Sequence, residues 1–244
     1  MHDFQFYVQP GEVHDRRAAL KGDERDHCCR VLRKRVGDIV ILFDGSGNQY
    51  EAEISSINKD SVECLICQQR PKTRRIVPEI HLGICIVKNA AFDEVLTTSS
   101  ALGVHAIYPL ATQHSVKQHV NRERMRKIVL NSVKQSGNGY LPEVAELTGL
   151  ADWLKIVKNF RIKLVAEKDE SLSLSALVPE PCEMDRIAVL IGPEGGLSSN
   201  ELDLCRAAGF LVVNLFPYRL RTELATTVMI SQLYQYYSQT GGLK

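Results

Sequence analysis

Two short loops near the C-terminus of this 244-residue chain carry the residues best suited to chemistry. Residues 191–198 read Ile-Gly-Pro-Glu-Gly-Gly-Leu-Ser, and residues 220–223 read Leu-Arg-Thr-Glu. Each loop stands where a strand pattern gives way to a helix pattern. Glycine at such a turn permits positive φ and lets a ligand approach bare backbone, while the free N–H groups of the helix start point toward that ligand. The two loops are therefore predicted to form the active site, with a cofactor as its natural occupant.

The segments around these loops indicate how they are positioned. An apolar run at 187–191 precedes the first loop, and a strand-like run at 210–216 precedes the second. Ser198 and Glu201 have the spacing of a capping box, which opens a helix. Two adjacent β-to-α loops are expected to meet at the C-terminal edge of one sheet, where open α/β sheets bind ligands. The glycines match neither the common dinucleotide motif nor the nucleoside-triphosphate motif. A tight turn without a ligand is the alternative.

The rest of the chain divides into a β-rich part and an α/β part. Residues 31–68 alternate apolar and polar side chains between turn-forming clusters, which predicts a compact β unit. Beyond a charged, proline-flanked stretch at 69–78, strand-like runs alternate with helical patterns, which predicts a mostly parallel sheet. The runs are 80–87, 104–109, 162–167, 187–191 and 211–216, and the clearest helical patterns are 121–136 and 223–238.

Together these motifs resemble the SPOUT methyltransferases, in particular the RsmE family of 16S ribosomal RNA uridine-N3 methyltransferases. The resemblance runs nearly end to end, and it is also carried by His-Cys-Cys-Arg-Val-Leu-Arg at 27–33 and Phe-Asp-Gly at 43–45. It implies an RNA-binding, PUA-like β-barrel at 1–72 and a SPOUT methyltransferase domain at 73–244. The fold class that it implies is α/β: a SPOUT-type parallel sheet with a C-terminal trefoil knot around the cofactor, preceded by the small barrel.

The activity that the resemblance implies is S-adenosylmethionine-dependent methylation of uridine N3 in 16S ribosomal RNA of the small subunit. It implies RNA contacts from Arg30 and Arg33 in the barrel. The cofactor-binding residues that it implies are Ile191, Gly192, Glu194, Gly196, Leu215, Phe216, Leu220, Thr222 and Ala225.

The candidate catalytic residues are Arg221 and Glu194. Loss of the N3 proton of uridine spreads negative charge onto the neighbouring carbonyl oxygens, and a cation beside them would stabilise it. Arg221 is permanently charged and forked, although a helix-start arginine paired with Glu223 or Glu194 is the alternative. Glu194 and Glu223 are candidate bases, or else carboxylates that receive helix-start N–H groups. No base is assigned.

The chain departs from the family at several substrate-side positions. The family usually has glycine where Phe216 stands and arginine where Tyr218 stands. Its typical Arg-Ser is here His114-Ser115, and its typical Glu-Gln-Ser-Gly-Arg is here the segment 134–138, Lys-Gln-Ser-Gly-Asn. These changes leave two alternatives open: a diverged relative that binds RNA without catalysis, and a methyltransferase that acts on another RNA.

Charge, cysteine content and hydropathy set further limits. A net charge of +1 excludes a globally basic nucleic-acid binder, so local clusters matter instead. Seven cysteines suit a reducing compartment, and the polar start and the lack of a long apolar stretch predict a cytoplasmic protein without a membrane span. The lone Cys-x-x-Cys at 64–67 is predicted to be two buried strand thiols, with no metal. The basic clusters are Arg30, Arg33, Lys34 and Arg35; Arg70, Lys72, Arg74 and Arg75; and Lys117, Arg122, Arg124, Arg126, Lys127 and Lys134.

The last helical pattern carries more apolar and aromatic residues than a surface helix needs. Burial within the chain and contact with a second subunit explain this pattern equally well. The resemblance favours a homodimer. The residues concerned include Val228, Leu233, Tyr234 and Tyr237.

Overall fold

The computed structural model describes residues 5–72, 75–115, 120–168 and 185–239. The chain forms two compact units, of which the first comprises Met1–Arg75 and Leu130–Leu141. The second comprises Ile76–Val129 and Pro142–Lys244. Arg74 and Lys117, two members of the predicted basic clusters, lie outside the described residues.

The first unit contains a five-stranded sheet in the order β1-β3-β4-β5-β2, counted over its described residues. β1 runs parallel to β3, and every other neighbouring pair is antiparallel. β4 shifts register twice against β5, and bulges of this kind bend a strand so that the sheet curls around its core. The strands are β1 Gln5–Tyr7, β2 Arg17–Lys21, β3 Ile39–Phe43, β4 Gln49–Ile57 and β5 Ser61–Gln69. The predicted β unit is thereby confirmed.

The alternation of side chains along β5 determines which of the two thiols of the Cys-x-x-Cys segment is buried. Side chains three positions apart on a strand point to opposite faces. Cys64 is accordingly buried in the core of the first unit, and burial raises the pKa of its thiol to about 12. Cys67 is exposed. The prediction of buried thiols is therefore right for Cys64 and wrong for Cys67.

A charged pair is buried inside the first unit. Nζ of Lys134 donates to both carboxylate oxygens of Glu24, at 2.7 and 2.9 Å, and the two side chains are only 8% and 13% exposed. The same Nζ lies 3.2 Å from Nδ1 of His27 and 5.6 Å from the ring centre of Phe6. Lys134 was a candidate for tracking RNA phosphates, but its charge is used to hold the fold together.

The second unit contains a seven-stranded sheet over its described residues, in the order β12-β10-β11-β6-β7-β8, with β9 also paired to β7. Every pair is parallel, as predicted. The strands are β6 Glu79–Cys85, β7 Ala106–Ala111, β8 Glu143–Val144, β9 Thr148–Gly149, β10 Ile162–Ala166, β11 Arg186–Ile191 and β12 Leu211–Val213. The helices, numbered after the short α1 Gly22–Asp26 of the first unit, are α2 Asn89–Ala101, α3 Arg122–Ser136, α4 Leu150–Ile156, α5 Ser199–Ala207 and α6 Thr222–Gln239.

The strand order shows how the two loops are brought together. The strands before them, β11 and β12, are not paired with each other, because β10 lies between them and pairs with both. Ala166 at the end of β10 is level with Ile191 on one side and Val213 on the other. Three strand ends, rather than two, therefore form this part of the sheet edge.

The apolar residues of α6 are used largely within the chain. Leu233 and Tyr237 are fully buried, while Val228 and Tyr234 are half-buried. The Tyr237 hydroxyl donates to Asp185, which also pairs with Arg161. No helix in the described part of the chain is both long enough and apolar enough to cross a bilayer. The excess of apolar residues in α6 therefore does not by itself demand a second subunit.

Candidate active site

A cleft opens at the C-terminal edge of the second unit's sheet, where β10, β11 and β12 end. Its volume is about 600 Å³ when the space open to solvent is included. All nine residues predicted to bind the cofactor line it. The other lining residues are Ala166, Glu167, Lys168, Pro193, Asn214, Tyr218 and Arg219.

The first side of the cleft, which we call the glycine wall, is formed by residues 192–197. Gly196 N donates to Pro193 O at 2.9 Å, which closes a tight turn, and Gly196 has φ of +74°. A side chain at Gly196 would start 4.0 Å from both Arg219 Nη2 and Glu167 Oε2, so it would project between these two cleft side chains. The positive φ therefore favours glycine here, and a Cβ would only reach ordinary van der Waals contact with these two side chains.

The glycine wall ends in the predicted capping box, which is confirmed. Ser198 N donates to Glu201 Oε2 at 2.9 Å, and Glu201 N donates to Ser198 Oγ at 3.4 Å, which fixes the start of α5. Gln113 N donates to the other oxygen of Glu201 at 2.8 Å. Burial raises the pKa of the Glu201 carboxyl, but the hydrogen bonds from Ser198 and Gln113 outweigh burial, and this pKa lies below its ordinary value.

The loop after β7 also supports the glycine wall. His114 Nδ1 donates to Gly196 O over 3.1 Å, and a Cβ at Gly195 would lie 3.3 Å from His114 Cβ. The family's typical arginine is replaced by this histidine, so a shorter side chain here contacts the backbone of the glycine wall.

The second side of the cleft, which we call the aromatic wall, is formed by residues 214–219. Phe216 N donates to Asn214 Oδ1 at 3.1 Å, which makes a side-chain turn at the end of β12. Gln232 Nε2 on α6 donates to Leu215 O at 3.3 Å. Arg219 Nη2 donates to Glu194 O at 3.3 Å and thus joins the aromatic wall to the glycine wall.

Thr222 makes a second connection between the two sides. It is the first residue of α6 and is only 4% exposed, and its Oγ1 donates to Gly192 O at 3.1 Å. The start of the last helix is thereby fastened to the turn that follows β11.

The structure separates the two candidate catalytic residues. Glu194 lines the cleft, whereas Arg221 is exposed, is not among the lining residues, and offers its carbonyl to Ala225 N at 2.8 Å. Arg219, which the sequence reasoning did not select, does line the cleft. The signal in the sequence that could have identified Arg219 is its position next to Tyr218, where the chain departs from the family.

The two predicted RNA-binding residues lie in the first unit. Arg30 belongs to a π-helix, His27–Val31, and its side chain is 73% exposed and lies 3.3 Å from Asp26. Arg33 is exposed and has φ of +52°. The two exposed arginines therefore lie on an irregular segment, in which a π-helix is followed by a residue in the left-handed conformation. Both kinds of irregularity are often found at functional sites.

Comparison with known proteins identifies relatives of the chain. The profile of the RNA methyltransferase PUA domain matches residues 20–67. The ribosomal RNA small subunit methyltransferases E of Bacillus subtilis and Rickettsia conorii are 26% and 27% identical to the chain, covering 88% and 94% of it and the same shares of the relatives. The crystal structure of a ribosomal RNA small subunit methyltransferase E from Neisseria gonorrhoeae, bound to S-adenosyl methionine, superposes with a TM-score of 0.88 at 26% identity, covering 95% of this chain and 96% of that one.

The profile of the RNA methyltransferase domain matches residues 75–234, which include both walls of the cleft and the strands beneath them. Since this match spans most of the chain, the chain belongs to the RNA methyltransferase family, among the relatives of the ribosomal RNA small subunit methyltransferases E.

Proposed function

We propose that this protein transfers a methyl group from S-adenosylmethionine to N3 of a uridine in 16S ribosomal RNA of the small subunit. One observation carries the proposal: the nine residues implied for the cofactor, drawn from two separate loops, line one cleft at a sheet edge suited to ligands. The bound S-adenosyl methionine of the Neisseria gonorrhoeae relative supports the same cofactor.

The side chains of the cleft fit this cofactor. The bare backbone at Gly196 leaves space beside the turn, and the carboxylates of Glu167 and Glu194 line a site that would receive a positively charged sulfonium. The cofactor supplies an electrophilic methyl group when it is bound. The glycine wall would hold it through backbone groups, and Leu215 and Leu220 would contact its apolar parts.

The substrate side requires a proton acceptor and a cation. Glu194 lines the cleft and is the candidate to accept the N3 proton of uridine. Arg219, held by its bond to Glu194 O, would place a guanidinium near the carbonyl oxygens that gain charge. Arg221, exposed and directly before the first residue of α6, is the second candidate for this role.

The remaining features that the resemblance implies belong to the same proposal. The barrel at 1–72 would bind RNA through Arg30 and Arg33, whose exposure supports this role, and the domain at 73–244 would carry out catalysis. The fastening of Thr222 to Gly192 brings the last helix against the loop after β11, as a trefoil knot around the cofactor would require. We also propose a homodimer that works in the cytoplasm without a metal ion.

Methyl transfer to purified ribosomal subunits tests the proposal. The protein would be incubated with methyl-labelled S-adenosylmethionine and small subunits that lack the modification. We expect label in 16S ribosomal RNA at one uridine, and a stop in reverse transcription there, because a methyl group on N3 blocks base pairing. A folded protein that binds the cofactor but labels no RNA would refute the proposal, and label on another RNA would redirect it.

A further inference from the structure

Two aromatic side chains of the second unit are left in solvent. Phe216 is 48% exposed and Tyr218 is 75% exposed, and they are the only exposed phenylalanine or tyrosine among residues 5–72, 75–115, 120–168 and 185–239. Their ring centres are 5.9 Å apart and the ring planes are inclined by 53°. Large exposed apolar groups placed side by side commonly mark a binding surface.

The backbone that carries these rings is well supported. Asn214 Oδ1 accepts from Phe216 N, Pro217 restricts φ between the two rings, and Arg219 is bonded to Glu194 O. Phe216 also packs beside Tyr218. The exposed rings thus form a preorganised surface, which reduces the entropy lost when a ligand is bound.

The position of the rings indicates the chemistry of their ligand. Both line the cleft, and so do the cationic side chains of Lys168 and Arg219. A flat aromatic surface next to cations is the combination that holds an unpaired nucleotide, with stacking on its base and attraction to its phosphate. With three-quarters of its surface in solvent, the Tyr218 ring is placed to meet a ligand that arrives from outside the cleft.

We propose that Tyr218, held by Phe216, forms a stacking platform for an unpaired RNA base at the mouth of the cleft. The inference rests on the proposed function for the identity of the polymer. It assigns a role to two exposed aromatic residues, of which Tyr218 is not otherwise used in the proposed methyl transfer. Stacking tolerates any base, so the platform would favour single-stranded over paired RNA rather than one sequence.

Binding of short oligomers tests the platform without requiring methyl transfer. A labelled hexauridylate and an abasic sugar-phosphate hexamer would be titrated with the protein at saturating S-adenosylmethionine. We expect Tyr218→Ala to weaken hexauridylate binding by about 5- to 100-fold, the usual range for loss of one stacked base. Tyr218→Phe, which keeps the ring, should bind like the wild type. Leu204→Ala removes an apolar side chain of 49% exposure elsewhere in the unit and should have no effect.

The abasic oligomer separates stacking from charge. We expect Tyr218→Ala and the wild type to bind it equally, since it offers no base to stack. Equal affinity of the two proteins for hexauridylate would overturn the platform, and so would an equal loss on both oligomers. A change in the cofactor Kd of Tyr218→Ala would also overturn the platform, because the ring would then contact the cofactor. A change in its oligomeric state in solution would do the same, because the ring would then contact a second copy of the chain.

The two proposals fail in distinguishable ways. If the wild type methylates small subunits but Tyr218→Ala does so with the same KM, the platform is wrong and the proposed function stands. If the wild type binds hexauridylate through Tyr218 but methylates no RNA, the platform stands as a binding site and the proposed function is wrong.

Discussion

The glycine wall and the aromatic wall face the same cleft but are built in different ways. Residues 192–197 have small or aliphatic side chains around Glu194, and the bond from Gly196 N to Pro193 O closes their turn. Residues 214–219 carry bulky exposed side chains and take their shape partly from distant partners, such as Gln232 and Glu194. The first wall offers backbone to a ligand, and the second offers rings and a guanidinium.

This difference separates two tasks that one site must perform. A small cofactor can be gripped by bare backbone in a turn with fixed geometry. A macromolecular substrate needs side chains that reach into solvent. Changes in the glycine wall should therefore affect cofactor affinity, and changes at Tyr218 and Arg219 in the aromatic wall should affect the binding and methylation of RNA.

The largest expected effect comes from removing the cation of the aromatic wall. We expect Arg219→Ala to lower kcat by about 100-fold or more, the usual effect of losing one group that stabilises developing oxyanion charge. Arg221→Ala is the matched variant, and single-turnover rates on small subunits would compare the two. Wild-type turnover of Arg219→Ala together with a slow Arg221→Ala would transfer the role to Arg221.

The next effect sharpens the assignment of the glycine wall. Gly196→Val should weaken S-adenosylmethionine binding by at least about tenfold, or 1.4 kcal/mol, because its side chain enters the space between Arg219 and Glu167. Gly137→Val is a strict control, since Gly137 has the same φ of +74° but has nothing within 4 Å of its Cβ position. Calorimetric titration would measure both, and an equal loss of affinity in the control would show that strain, not blocked space, is responsible.

A smaller effect concerns the connection between the last helix and the first loop. Thr222→Val keeps the side-chain shape but removes the bond to Gly192 O, and we expect it to reduce the free energy of unfolding by about 1 kcal/mol. Thr227→Val removes a bond to Glu223 O within α6 and leaves the loop untouched. Urea unfolding would compare stability, and cofactor titration should show a loss for Thr222→Val alone. No difference between the two variants would mean that the connection does not shape the cleft.

The smallest effect depends on pH. Because the pKa of Glu201 is lower in the folded protein, its contribution to stability is complete above the ordinary value near 4.5 and is lost as the pH falls below it. We expect Glu201→Gln to be less stable than the wild type by about 1 kcal/mol at pH 7, and by less at pH 3.5. Asp203→Asn, which changes an exposed carboxylate on the same helix, is the matched control variant. A gap of equal size at both pH values would contradict the prediction.

The accuracy of the sequence predictions follows the same division between local and distant causes. The capping box and the glycine turn depend on residues within four positions of one another, so the pattern of Ser198 and Glu201 was enough to predict the helix start. The parallel sheet followed from the alternation of strand and helix patterns. The strand order did not, because the insertion of β10 between β11 and β12 is decided by packing across the whole unit.

The position of β10 between these strands explains which cleft residues were overlooked. Glu167 and Lys168 follow β10, and nothing in their own sequence marks them as part of a site. Arg219 is itself exposed, and its bond to the distant Glu194 O shows that it faces the cleft. The interpretation of Lys134 was wrong in the opposite sense. Its place in a basic cluster indicated a solvent-exposed side chain, but it pairs with Glu24, 110 positions away, inside the fold.

The buried pair of Lys134 and Glu24 constrains how this lineage can vary. Replacing one partner alone leaves a charge in the interior without compensation, which is far more harmful than replacing both. The two positions are thus expected to change together or not at all. A relative that keeps the family's usual glutamate at the position of Lys134 should not also keep a glutamate at the position of Glu24. The effect of a substitution at one of these two positions therefore depends on which residue occupies the other position, which is epistasis.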